Sequence, residues 1–141
     1  MNGKRTSGCV AAWLLMAAVA CLGCRSRSTK EYMPQDAAAK NAIVTALTAW
    51  QAGKSPGVFE PDQPDAPQVQ AVDSEWSGGT KKLAQFEVVE QLPSAGGPPK
   101  FKVRLKYSDL PDAVEVTYYV VGKKPLLVYR DMDFESQTKG M

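Results

Sequence analysis

Residues 101–120, FKVRLKYSDLPDAVEVTYYV, decide the fold. Phe101, Val103, Leu105 and Tyr107 alternate with Lys102, Arg104, Lys106 and Ser108, the period of two that sends every second side chain to one face of a strand. After a tight turn at Asp109 to Asp112 the pattern resumes with Val114, Val116, Tyr118 and Val120 on one face. Antiparallel partners share an apolar side, so Tyr107 is expected opposite Val114, Leu105 opposite Val116 and Val103 opposite Tyr118. That register sets Lys106 opposite Glu115 on the outer face.

The pattern extends in both directions. Upstream, residues 82–92 send Ala84, Phe86, Val88 and Leu92 to one face, and a matching register puts Glu87 opposite Lys106. The Gly-Pro rich stretch from Pro93 to Lys100 is the connecting loop. Downstream, a turn at Gly122 to Pro125 leads to a last strand whose Leu127 and Tyr129 match the inner face. Residues 68–73 read as a short strand, broken off at Ser77 to Thr80. Between Pro56 and Pro67 the prolines, with Asp62, Gln63 and Asp65, argue against regular structure. Further back, Asp36 precedes an alanine-rich segment in which Ile43, Leu47 and Trp50 recur at helical spacing with Val44 beside them. This predicts a helix over 36–52, stopped by Gly53 with Pro56 beyond.

A helix whose apolar stripe covers one face of a meander satisfies every strong pattern in the chain. The expected fold class is α+β, one N-terminal helix packed on a curved antiparallel sheet of four to five strands. That order resembles the cystatin-like and NTF2-like folds over residues 36–134. Segments 49–54 and 119–125 also look like a group of small uncharacterised exported bacterial proteins, a likeness that brings no function with it.

The first residues carry a different signal. Lys4 and Arg5 precede an apolar run from Cys9 through Leu22 without a charge, closed by Arg25, Arg27 and Lys30. That is the layout of a secretory signal, and the run is shorter than the roughly 18 to 20 residues a spanning helix needs. Ala17, Ala18, Val19 and Ala20 lead directly into Cys21, which resembles a bacterial lipobox. The resemblance implies that Cys21 is diacylated and becomes the first residue of the mature protein; Cys24 is a second candidate. At least two acyl chains would hold such a protein where one is marginal. No Asp follows either cysteine, which by the same analogy points to an outer membrane, facing the periplasm or the cell surface. The organisation expected is signal peptide 1–20, anchored tether 21–35, domain 36–134 and flexible tail 135–141.

Export also corrects the charge. Cleavage after residue 20 removes Lys4 and Arg5 from the 17 basic residues and none of the 15 acidic ones, so the two signs become equal. A nucleic-acid footprint is thereby excluded as the meaning of the basic balance. Cys9 leaves with the signal and no cysteine follows Cys24, so the fold stands on its apolar core without a disulfide.

The chain has no histidine. That removes Ser-His-Asp and Cys-His catalysis and nearly every catalytic zinc site. Gly78-Gly79-Thr80-Lys81 lacks the upstream spacing of a P-loop, and no cofactor is expected. Asp131, Asp133 and Glu135 alternate like calcium ligands, yet the turn glycine and the distant bidentate Glu are missing, so solvated acids and no metal site are expected. Lys100, Lys102, Arg104 and Lys106 form a basic row that Glu87 and Glu115 flank, the pattern of a salt-bridged outer face.

Two functional readings follow. In the first, no catalytic residue is assigned, and a membrane-anchored exported lipoprotein acts as a non-enzymatic binding or interaction module in the cell envelope, partnered by another envelope component. Val89, Val121, Leu126 and Val128 on the outer sheet face would form its contact patch. In the second, a small-molecule binding or lyase-type domain has an inner-face pocket at Tyr107, Tyr118, Tyr129 and Glu90, where core packing of the tyrosines is the default explanation. Protease inhibition by cystatin analogy lacks its Gln-x-Val-x-Gly loop.

Overall fold

The computed structural model describes residues 33–140. The expected signal, both lipid-acceptor candidates and the expected tether through residue 32 lie outside the described residues. Helix α1, Asp36–Gln51, turns Ala39, Ala42, Ile43, Ala46, Leu47, Ala49 and Trp50 inward, while Val44 stays 38% exposed. The alanines in that face let the helix sit close on the sheet, and the larger side chains fill what remains. It ends in a Schellman arrangement: Gly53 takes φ +82°, its N–H bonds Trp50 O, and the Lys54 N–H bonds Ala49 O.

The sheet has six strands in the order β1-β2-β6-β5-β4-β3. These are β1 Val58–Phe59, β2 Val69–Val72, β3 Leu83–Leu92, β4 Lys100–Tyr107, β5 Val114–Gly122 and β6 Leu126–Arg130. The short helix α2, Ser74–Ser77, follows β2, and α3, Asp131–Lys139, follows β6. Strands β3 to β6 form the expected antiparallel meander, but β2 lies parallel to β6, so the sheet is mixed. The long passage through β3 to β5 supplies the connection that a parallel pair requires. The proline-rich loop also yields β1, two residues paired with β2. Helix α3 occupies most of the stretch expected to be a flexible tail. Among the described residues no helix is long and apolar enough to cross a membrane.

The β4–β5 register pairs Leu105 with Val114, Val103 with Val116 and Phe101 with Tyr118, two residues from expectation. A slip of two keeps every side chain on its expected face. It replaces the anticipated Lys106–Glu115 pair by Arg104 opposite Glu115, and β3 likewise sets Glu87 opposite Arg104. The end of β4 faces β3 instead, where the Ser108 N–H bonds Lys82 O at 2.9 Å.

Two further expectations fail through register. In β6 the inward residues are Leu126, Val128 and Arg130, because Val120 pairs with Val128 and Tyr118 with Arg130. Leu127 and Tyr129 therefore face outward, and Leu126 and Val128 are core residues, not members of an outer patch. In β3 an irregularity between Val88 and Glu90 makes Val89 the extra residue and pairs Glu90 with Lys102 on the outer face. Glu90 consequently leaves the apolar side.

Candidate functional site

Where β4, β5 and β6 meet the β2–α2 junction on the inner face, the core becomes polar. Arg130 enters from β6, Tyr118 from β5 and Tyr107 from β4, and Asp73 stands between β2 and α2. Asp73 is 4% and Arg130 6% exposed, the buried charged pair of the described residues. The Arg130 Nη1 donates to Asp73 Oδ1 at 3.2 Å, and Nη2 donates to the Tyr107 hydroxyl at 3.2 Å. The Tyr118 hydroxyl donates to Asp73 Oδ2 at 2.5 Å. Asp73 also caps α2, accepting from the N–H groups of Glu75 at 2.9 Å and Trp76 at 3.3 Å.

The electrostatics follow from this geometry. Burial pushes the Tyr118 hydroxyl well above its ordinary value, and the charge and hydrogen bond of Asp73 push it further. Burial pulls the Arg130 guanidinium down, but Asp73 and the hydroxyl groups of Tyr107 and Tyr118 more than offset it, leaving the group raised. Tyr118 is thus a neutral donor and Arg130 a fixed cation. No buried side-chain nitrogen or oxygen among the described residues lacks a hydrogen-bond partner. Asp73, Arg130 and Tyr118 are paired with one another, and the Tyr107 hydroxyl joins them as an acceptor from Arg130.

Beside it runs an aromatic stack. Phe59 lies on Trp76 with ring centres 5.5 Å apart, Trp76 on Trp50 at 5.4 Å, and Trp50 meets Tyr107 at 5.7 Å and 57°. Both indole N–H groups are used: Trp76 Nε1 donates to Lys54 O at 2.9 Å, and Trp50 Nε1 to Lys81 O at 3.2 Å. Lys81 Nζ stands 5.1 Å from the Tyr107 ring centre and 2.6 Å from Glu75 Oε2. That contact holds Lys81 above and Glu75 below its ordinary value. Over the two tryptophans opens a cleft of about 550 Å³, bordered by Lys54, Lys81, Lys82, Ser55, Ser77 and Ser108. A second groove, of about 620 Å³, separates α1 from β1 and exposes Val44 and Val58 between Thr45, Thr48, Glu60 and Asp62.

The residues singled out in the sequence fall apart into three places. Tyr107 and Tyr118, each 1% exposed, join the buried cluster. Tyr129 sits on the opposite face, edge-on to Phe134 of α3 at 5.9 Å, beside the Tyr119–Phe134 stack at 4.3 Å. Glu90 binds Lys102 at 3.0 Å in solvent. Cys21 and Cys24 lie outside the described residues. The basic row is cross-linked by acids, Arg104 meeting Glu87 at 3.5 Å and Glu115 at 3.2 Å. The acidic run bonds within the protein: Asp133 accepts from the Ser74 N–H at 2.9 Å, Asp131 from the Met132 N–H at 2.8 Å, and Glu135 pairs with Lys139 at 3.7 Å. No metal-ligating group of three such residues occurs among the described residues.

Asp73, Arg130 and Trp76 were not singled out in the sequence. A cap signal was present in Asp73-Ser74-Glu75-Trp76, an N-cap residue before a short turn. Arg130 gives no such signal, since only the β5–β6 register reveals its side. No protein-family model, curated protein or solved structure matches this chain.

Proposed function

We propose that the chain is an exported, lipid-anchored lipoprotein whose domain is a non-enzymatic binding module in the cell envelope. The observation that carries this reading is the buried inner face, where Asp73, Arg130, Tyr107 and Tyr118 are hydrogen-bonded to one another. A general acid or base must come within hydrogen-bond reach of its substrate, and these groups, at most 6% exposed, are turned to one another. The small-molecule or lyase-type alternative is weakened, because Glu90 and Tyr129 point away from the face it requires. The lipobox at Cys21, with Cys24 as second candidate, supports attachment to a membrane, and the absence of a following Asp favours an outer one. The helix-then-meander order supports placing the domain beside the cystatin-like and NTF2-like architectures, with β1 and β2 added along β6.

The contact surface moves from the outer sheet face to the α1–β1 groove. Val58 is 54% and Val44 38% exposed there, and Glu60 and Asp62 stand at the rim. The fitting partner is an envelope protein segment with an apolar side chain flanked by Lys or Arg. A photo-crosslinker placed at position 44 or 58 in living cells is expected to trap a discrete protein adduct, while one at Leu110, also exposed, traps none. Adducts absent at both groove positions, or equal at all three, would contradict the groove assignment.

A further inference from the structure

The cleft over Trp50 and Trp76 has features that the contact reading leaves unused. Three lysines border it, and no Asp or Glu is among its lining residues. The outer basic row differs, since its Lys102 and Arg104 meet acids. Lys54 and Lys82 make no ion pair with the described residues, while Lys81 has Glu75.

The backbone that carries the three cations is also fixed from beneath. Each lysine has its main-chain carbonyl fixed by a group from another element: Lys54 O by Trp76 Nε1 at 2.9 Å, Lys81 O by Trp50 Nε1 at 3.2 Å, and Lys82 O by the Ser108 N–H at 2.9 Å. The two indoles are 3% and 4% exposed and stack on each other, so they are rigid supports. Fixing the backbone under a charged side chain removes part of the ordering cost of binding. The α1 carbonyls of Thr48, Ala49 and Trp50 are already bonded, which limits their repulsion of an anion. Ser55, Ser77 and Ser108 add hydroxyls, and Pro56 and Leu83 add apolar wall.

Charge sets the ligand class. Three lysines less the carboxylate of Glu75 leave two net positive charges, which match the roughly −1.5 to −2 of a phosphate monoester at neutral pH. The volume of about 550 Å³ suits a small organic molecule and exceeds what a bare ion needs. We propose that this cleft binds an organic phosphate monoester, its phosphoryl oxygens accepting from Lys54, Lys81 and Lys82 and its organic part resting on Pro56 and Leu83. The cleft adjoins the α1–β1 groove and shares Ala52, Lys54 and Ser55 with it, whereas Lys82 lines the cleft alone, so Lys82→Gln distinguishes failure of this proposal from failure of the groove assignment.

The test follows the indole N–H resonances of Trp50 and Trp76 in the full chain, held in zwitterionic detergent and titrated with glycerol 3-phosphate at constant ionic strength. Glycerol is the uncharged control. Both resonances are expected to move saturably with the phosphate and to stay still with glycerol. Lys54→Gln/Lys82→Gln should weaken binding about tenfold or more by removing two charge-assisted contacts, while Lys123→Gln/Lys124→Gln on the β5–β6 hairpin should leave it within about twofold. Lys82→Gln alone is measured as well, should the double variant lose its dispersed indole signals. A second arm places the protein in nanodiscs of phosphatidylcholine with or without phosphatidic acid and no added phosphate. Movement there assigns the monoester to a lipid headgroup; movement only with glycerol 3-phosphate assigns it to a soluble ligand. Still resonances in both arms, or equal affinity in wild type and in the cleft variants, would overturn the proposal.

Discussion

Arg130 occupies a position where β6 should carry an apolar side chain, and the reason is Asp73. Burying either charge alone would cost several kcal/mol, whereas burying both with Tyr107 and Tyr118 as further partners leaves no polar atom unpaired. Tyr118 is the member whose removal is most informative. Tyr118→Phe keeps the ring but deletes the donor to Asp73 Oδ2, and it should destabilise the protein by about 1–3 kcal/mol near neutral pH. The hydroxyl is raised in the folded state, so its stabilising contribution is full below the unfolded tyrosine value of about 10 and is lost as pH rises toward the folded one. Denaturant midpoints of wild type and Tyr118→Phe should therefore converge above about pH 10. A gap that stays constant from pH 8 to pH 11 would contradict the assignment. None of this could be read beforehand: Tyr118 was legible as an inward residue from its period, but Asp73 is 57 residues from Arg130 and no local pattern pairs them.

At the scale of elements, periodicity read most of the fold. Helix α1, the inner faces of β4 and β5, and the acid-flanked outer face all follow from spacing alone, because a two-residue slip changes partners without changing sides. Strand β6 resisted, since Leu126, Leu127, Val128 and Tyr129 are apolar on both faces and parity had to come from the turn. Glu90 resisted because one extra residue in β3 inverts everything after it. The turn before β6 depends on Gly122, which has φ +88° and where an added Cβ would approach Pro125 O to 2.9 Å. Gly122→Ala should cost at least about 1–2 kcal/mol from the left-handed backbone alone, measured as a fall in unfolding midpoint. An unchanged midpoint would show that the hairpin relaxes freely. The long edge strand β3 is protected differently, by two irregularities and by Glu87 and Glu90 facing Arg104 and Lys102, which leaves it a poor template for another chain.

At the scale of the whole molecule, the Asp73–Arg130–tyrosine cluster is buried in the core, while the cleft of lysines and the α1–β1 groove open at the surface. The cleft of lysines and the α1–β1 groove meet at Ala52, Lys54 and Ser55, and the Phe59–Trp76–Trp50 stack borders both, Trp50 and Trp76 lining the cleft and Phe59 the groove. The proposed function requires that the domain be held at a membrane through Cys21. Intact mass of the protein purified from membranes, compared among wild type, Cys21→Ser and Cys24→Ser, tests that placement most directly. The expected result is a mature mass that begins at Cys21 and carries at least two acyl chains, lost in Cys21→Ser and kept in Cys24→Ser. An unlipidated mass in all three proteins would contradict it.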